Sequence, residues 1–119
     1  LVLLPPRDWL FERCDARFDA MLASGGKDEV AALLDRGLDP DLPVMRAIGV
    51  REIAAMLANP EHAERSIEDA KMATRRYAKR QYTWFRNQAP ADWPRIPAQL
   101  DNDNIDDLAI KLQHMALTD

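Results

Sequence analysis

Apolar residues recur at helical spacing over most of this chain, and glycines and prolines cut the pattern into segments. From Asp8 to about Ser24, the residues Leu10, Phe11, Cys14, Phe18, Met21 and Leu22 fall on one side of a helix, and Gly25-Gly26 supplies its stop. A shorter helix is predicted from Lys27 to Arg36, with Val30, Leu33 and Leu34 inward and Gly37 closing it. Asp39-Pro40-Asp41-Leu42-Pro43 reads as a turn-rich loop, because each proline pushes the residue before it away from helical geometry. A third helix is expected from about Val44 to Ala58. Pro60 suits the first turn of a fourth, which continues to about Asn87 without internal Gly or Pro and would be roughly 40 Å long. The prolines between Ala89 and Pro97 end it. Asp103-Asn104 can cap a last helix with Asp106 and Asp107 in its first turn and Ile105, Leu108, Leu112 and Met115 as its apolar stripe. At the other end, Leu1 to Leu4 before Pro5-Pro6 reads as the end of a buried strand whose partners lie outside the chain. The predicted fold class is mainly α: a strand stub plus about five helices.

Length and composition narrow this picture. With 119 residues, 47% of them hydrophobic and 30% charged, the chain can bury a core but cannot hold two full domains. No stretch approaches the roughly 18 consecutive apolar residues of a membrane span, and Leu1 to Leu4 is too short for a signal-peptide core. One cysteine, Cys14, excludes an internal disulfide framework. A soluble, cytoplasmic protein is expected. Because the chain begins at Leu1 rather than Met, with a strand whose partners are expected outside it, it is also expected to be a piece of something longer.

Charge changes the picture more. There are 16 Lys and Arg against 20 Asp and Glu, a net charge of −4, which alone argues against nonspecific nucleic-acid binding. Yet the stretch from Lys71 to Arg86 holds six basic residues and no acid. A short cationic segment on an acidic body can direct a polyanion to one place and repel it elsewhere. The plainer reading is a solvated helix face paired to acids on neighbouring helices.

Several candidate chemistries fail on spacing. Ser24-Gly25-Gly26-Lys27 is not a phosphate loop, since that motif needs a glycine where Met21 stands and a hydroxyl where Asp28 stands. His62 and His114 lack neighbours at metal-ligand spacing and read as surface histidines, and Cys14 reads as a core thiol. Arg17 is different: at helical periodicity it lies about 20° from Leu10 and beside Cys14 and Met21, inside the apolar face. Its guanidinium must reach solvent, pair with an acid, or meet an anion at a cleft wall, where its planar fork suits phosphate oxygens. On the fourth helix, Ile67, Lys71, Thr74, Ala78, Gln81 and Phe85 share a narrow face. Arg75, Arg76, Lys79, Arg80 and Arg86 spread beside it, with Tyr82 at the boundary. Basic side chains interleaved with aromatic and amide groups can hold phosphates and stack on or hydrogen-bond to exposed bases. The same face would serve an RNA-binding module without catalysis or a helical domain that pairs with an acidic protein.

Three segments carry a resemblance. Arg13-Cys14-Asp15-Ala16-Arg17-Phe18-Asp19-Ala20-Met21-Leu22, then Asp41-Leu42-Pro43-Val44-Met45-Arg46-Ala47-Ile48-Gly49, then Ala73-Thr74-Arg75-Arg76-Tyr77-Ala78-Lys79-Arg80-Gln81-Tyr82-Thr83-Trp84-Phe85-Arg86 resemble the C-terminal part of bacterial tRNA dimethylallyltransferases, the tRNA isopentenyltransferases. Ala78 to Gln81 with Thr83-Trp84 is the most specific stretch. The resemblance assigns residues 1–88 to the C-terminal helical part of a P-loop-type α/β enzyme and leaves 89–119 as a proline-rich linker and helix. It implies transfer of a dimethylallyl group from dimethylallyl diphosphate to N6 of the adenosine beside the anticodon. The phosphate loop, the Mg2+ site and the general base would lie in parts of the enzyme outside this chain, so the chain alone is expected to be inactive. Carried over by position, Arg17 matches the catalytic arginine that contacts the diphosphate. Asp41, Leu42, Pro43, Val44, Met45 and Arg46, together with Thr74, Arg75, Arg76, Tyr77, Ala78, Lys79, Arg80 and Gln81, match segments that touch the tRNA anticodon stem-loop. The resemblance also implies a monomeric enzyme. The chain departs from the family's common pattern at Val50, where an aromatic is usual, and at Gly26, where a large apolar residue is usual; the latter is expected to loosen the junction between the first two helices.

Overall fold

A computed structural model describes residues 1–118. Its elements are β1 (Val2–Leu3), α1 (Arg7–Ala23), α2 (Gly26–Asp35), a 3-10 turn (Pro43–Arg46), α3 (Val50–Ala58), a second 3-10 turn (Pro60–His62), α4 (Ala63–Asn87), β2 (Arg95–Ile96) and α5 (Ile105–Thr118). The mainly helical class with a strand stub and five helices is therefore what the sequence pattern anticipated. The chain forms two compact units, Phe11–Ala78 and the combination of Leu1–Leu10 with Lys79–Asp119.

The Phe11–Ala78 unit is built on the periodic apolar faces. Phe18, Val30, Ile53, Met56 and Ala70 form its buried cluster, and Leu22, Val50, Ala54, Ala63 and Ile67 pack against it. Ala70 is wholly buried, so α4 approaches the cluster through a side chain with almost no reach. Gly26 does not loosen the junction of α1 and α2. A Cβ placed there would stand 2.8 Å from the Met21 carbonyl oxygen, so the bare glycine allows α2 to start tightly against the end of α1.

The third helix differs from expectation in its start. Pro43 opens a single 3-10 turn, Ala47 is extended, and Gly49 has φ 100°, so α3 begins at Val50 rather than Val44. Only glycine occupies that φ without strain, and the Gly49 N–H is held by the Glu52 carboxylate at 3.0 Å. Likewise Pro60 heads a short 3-10 turn, and α4 proper starts at Ala63. The break at Gly49 has a positional effect: Arg46, Ala47 and Ile48 become a turn.

In the other unit, the strand stub has a partner after all, which corrects the expectation that its partners lie outside the chain. β1 pairs in parallel with β2, Val2 opposite Arg95 and Leu3 opposite Ile96. The Val2 N–H donates to the Pro94 carbonyl and the Leu4 N–H to the Ile96 carbonyl, both at 2.8 Å. Arg95 also fastens the end of α4. Its guanidinium donates to the carbonyls of Ala89 (2.7 Å), Trp93 (2.8 Å), Pro90 (3.1 Å) and Arg86 (3.3 Å), supplying donors that the last turn of a helix lacks. The Arg7 guanidinium sits 5.1 Å from the Tyr82 ring centroid, a cation–π contact.

The start of α5 needs two corrections. The turn before it is organised by Asp101, whose Oδ1 accepts from the backbone N–H of Asp103 at 3.1 Å and of Asn104 at 3.2 Å. The Asn104 carboxamide reaches back to the Asp101 N–H at 3.1 Å rather than forward into the helix. Of the expected stripe, Leu108 is buried and Met115 half-buried, but Ile105 and Leu112 are 46% and 48% exposed.

Candidate functional site

Helix α1 carries two acids one turn apart, Asp15 and Asp19, and α4 carries two bases at matching spacing, Lys71 and Arg75. They form a zipper. Lys71 Nζ is 2.8 Å and 2.9 Å from the two carboxylate oxygens of Asp19, and Arg75 binds Asp15 through Nη1. The plainer reading of the basic helix face therefore holds for these two residues. The hydrogen bond that Lys71 donates to Asp19 raises the lysine pKa above its ordinary value, with burial opposing it, so Lys71 stays charged through neutral pH.

Arg17 is about 160° around α1 from both acids, too far to share them. Among the described residues no ion pair or hydrogen bond occupies its guanidinium. Instead Arg17, an exposed residue, lines a cleft of about 400 Å³ with Cys14, Phe18 and Met21 from α1, Arg46, Ala47 and Ile48 from the turn, and Thr74 and Tyr77 from α4. Among the described residues the intrachain ion pair that was one option for Arg17 is absent; the side chain reaches solvent at the wall of this cleft. Two guanidinium-bearing side chains face this cleft and no carboxylate or imidazole lines it. Its other walls are apolar or aromatic. Such a combination accommodates a ligand that is anionic at one end and apolar or planar at the other.

Of the residues carried over from the resemblance, Arg17, Arg46, Thr74 and Tyr77 meet in this cleft although they come from three distant segments. The Thr74 hydroxyl donates to the Ala70 carbonyl at 2.9 Å, which fixes its rotamer and leaves its oxygen lone pairs toward other groups. Asp41, Leu42, Pro43 and Val44 are exposed and Met45 is half-buried; the Asp41 N–H is held by Asp39 at 2.9 Å. Arg75 is engaged by Asp15, the Arg76 guanidinium lies 3.0 Å from the Met72 sulfur, and Gln81 is exposed. Ala78 is buried, so any approach to its segment meets its neighbours instead. Within the unit that holds them, Lys79 and Arg80 line a cleft of about 370 Å³ with Thr83, Trp84, Asn87 and Gln88.

Periodicity missed Ala47 and Ile48 because they were assigned to the third helix; the glycine at 49 was the available signal. Burial pushes the Cys14 thiol above its ordinary value, opposed by the nearby Arg17 charge, so it remains a neutral lining group. His62 and His114 are exposed, as anticipated. Among the described residues no group of three or more His, Cys, Asp or Glu could hold a metal ion. No helix of the described residues is long and apolar enough to cross a membrane.

The fold and the cleft together define a helical module in which two arginines, Arg17 and Arg46, line one cleft. The chain belongs to the IPP transferase family, whose model matches residues 1–88. It is 60% identical over 118 residues to the tRNA dimethylallyltransferase of Sphingopyxis alaskensis, a match that covers 99% of this chain and 39% of that protein. It is 60% identical over 96 residues to the tRNA dimethylallyltransferase of Erythrobacter litoralis, covering 81% of this chain and 30% of that protein. Among solved structures, the full-length tRNA isopentenylpyrophosphate transferase of Bacillus halodurans superposes with a TM-score of 0.75 at 34% identity, over 98% of this chain and 39% of that one. The tRNA delta(2)-isopentenylpyrophosphate transferase of Staphylococcus epidermidis gives 0.76 at 28% identity, over 97% and 38%. The chain thus spans less than two-fifths of the length of each of these relatives.

Proposed function

We propose that this chain is the C-terminal helical part of a tRNA dimethylallyltransferase and supplies a diphosphate-contacting arginine and part of the tRNA surface. The observation that carries the reading is the meeting of Arg17 and Arg46 in one cleft without an opposing acid. The reaction forms a bond between N6 of an adenosine beside the anticodon and C1 of the dimethylallyl group. The C1–oxygen bond breaks, diphosphate departs, and N6 loses a proton. Negative charge builds on the departing diphosphate, and fixed guanidiniums aimed at it lower the barrier because they need not reorganise as it grows. Phe18, Met21 and Ile48 line the same cleft and suit the apolar or planar part of a bound substrate.

No carboxylate or imidazole lines the cleft, and the general base is proposed, as the resemblance implies, to come from elsewhere in the enzyme. The Mg2+ that the resemblance implies finds no carboxylate in the lining of this cleft and, among the described residues, no group of three or more His, Cys, Asp or Glu that could hold it. The enzyme is proposed to act in the cytoplasm as a monomer.

The exposed bases of α4 provide the test of RNA binding. Replacing Lys79 and Arg80 together by Ala in the full-length enzyme should weaken anticodon stem-loop binding and reduce the slope of log affinity against log salt by about two, one for each phosphate that is no longer neutralised. A salt titration measures this, and an unchanged slope would remove both side chains from the phosphate surface.

A further inference from the structure

The cleft at the end of α4 contains more than two cations. Lys79, Arg80, Thr83, Trp84, Asn87 and Gln88 line it, and none of them is acidic. Their spacing places Arg80, Trp84, Asn87 and Gln88 along one side of the helix at intervals of three to four residues. The Trp84 side chain is conspicuous for its exposure of 52%. Its ring meets Phe85 edge to face, with centroids 5.2 Å apart and planes at 88°. A T-shaped arrangement uses at most one face of the indole and leaves the other open, while it restricts the ring's orientation before any ligand arrives.

We propose that Trp84 is a stacking platform for one unstacked base of the RNA, with Lys79 and Arg80 on the flanking phosphates and the Asn87 and Gln88 amides at the base edge. The proposal rests on the reading that the protein acts on tRNA, and adds Trp84, Asn87 and Gln88 to the surface that recognises it. The chemistry favours a nucleotide over other anions. An acidic peptide would satisfy the two cations but make no use of an open indole face beside two amides, each of which both donates and accepts. A base uses all three, since every base has a π-face and a hydrogen-bonding edge. An indole held by a neighbouring ring also loses little conformational freedom on stacking.

The test compares Trp84→Ala, Trp84→Leu and Trp84→Phe in the full-length enzyme, measuring affinity for an anticodon stem-loop and for polyglutamate. Trp84→Ala and Trp84→Leu should each weaken stem-loop binding about 5- to 150-fold, the range observed when a stacked base loses its aromatic partner. Trp84→Phe should keep most of the affinity, and polyglutamate binding should be unchanged in all three. Leu preserves apolar bulk without a π-face, so a merely structural role would make Leu and Phe equivalent and overturn the proposal. Wild-type stem-loop affinity in Trp84→Ala, or a parallel loss for polyglutamate, would overturn it too. A wild-type enzyme that transfers no prenyl group to tRNA would instead sink the functional reading itself, which separates the two failures.

Discussion

Replacing Arg17 by Ala in the full-length enzyme should lower the rate of prenyl transfer at saturating tRNA about 100- to 1000-fold, while tRNA affinity stays within about twofold. The magnitude is that of removing one preorganised donor from a developing oxyanion. The selectivity follows from position. Arg17 is rooted between Cys14, Phe18 and Met21, faces the cleft, and is untouched by Asp15 and Asp19, which are paired with Arg75 and Lys71. A side chain that touches the diphosphate in the transition state affects turnover, whereas one that holds RNA affects binding. Lys at position 17 would keep the charge but lose the planar fork, and its rate should fall between those of Arg and Ala. Single-turnover rates and tRNA dissociation constants measured together decide the matter. Equal losses in both quantities, or no loss, would mean that Arg17 does not perform the assigned role.

The second large effect is on stability. Phe18→Ala should cost about 3–5 kcal/mol, the usual range for truncating a buried phenylalanine. Phe18 is only 4% exposed and belongs to the cluster of Val30, Ile53, Met56 and Ala70, which draws on four helices. Its ring also backs Gly49, where an added Cβ would lie 3.5 Å from Cε2, so the turn that carries Arg46 rests partly on it. Such a loss is a large share of the roughly 5–15 kcal/mol that a domain possesses, and urea denaturation followed by circular dichroism would register it as a marked fall in midpoint. A cost below about 1 kcal/mol would show that the cavity collapses freely and that the cluster is looser than its burial indicates.

Local pattern revealed the parts of this structure that depend on local causes. Helices α1, α2 and α4 follow from apolar spacing and from Gly and Pro at their ends. The partner of β1 was invisible because Arg95-Ile96 is a two-residue strand among prolines, too short for alternation to register. The start of α3 was misplaced because apolar spacing continues through Val44 to Ala58, while the chain breaks at the positive φ of Gly49. The α4 basic face was read as one surface. Asp19 and Asp15 lie 52 and 60 residues from their partners in sequence, and only the packed structure reveals that Lys71 and Arg75 are engaged. Arg17 was legible from its anomalous place in an apolar face; its companion Arg46 was legible only through the resemblance, because its position depends on the turn.

The central proposal is that Arg17 contacts the diphosphate in the cleft it shares with Arg46. The most direct measurement is an NMR titration of inorganic pyrophosphate into the full-length enzyme carrying isotope-labelled arginine, following the Nε–Hε resonances, with Arg17→Lys and Arg46→Lys variants used for assignment. Saturable shifts concentrated on Arg17 and Arg46, with exposed arginines such as Arg51 and Arg65 unmoved, are the predicted result. Uniform small shifts across all arginines, or changes that spare Arg17, would contradict the account.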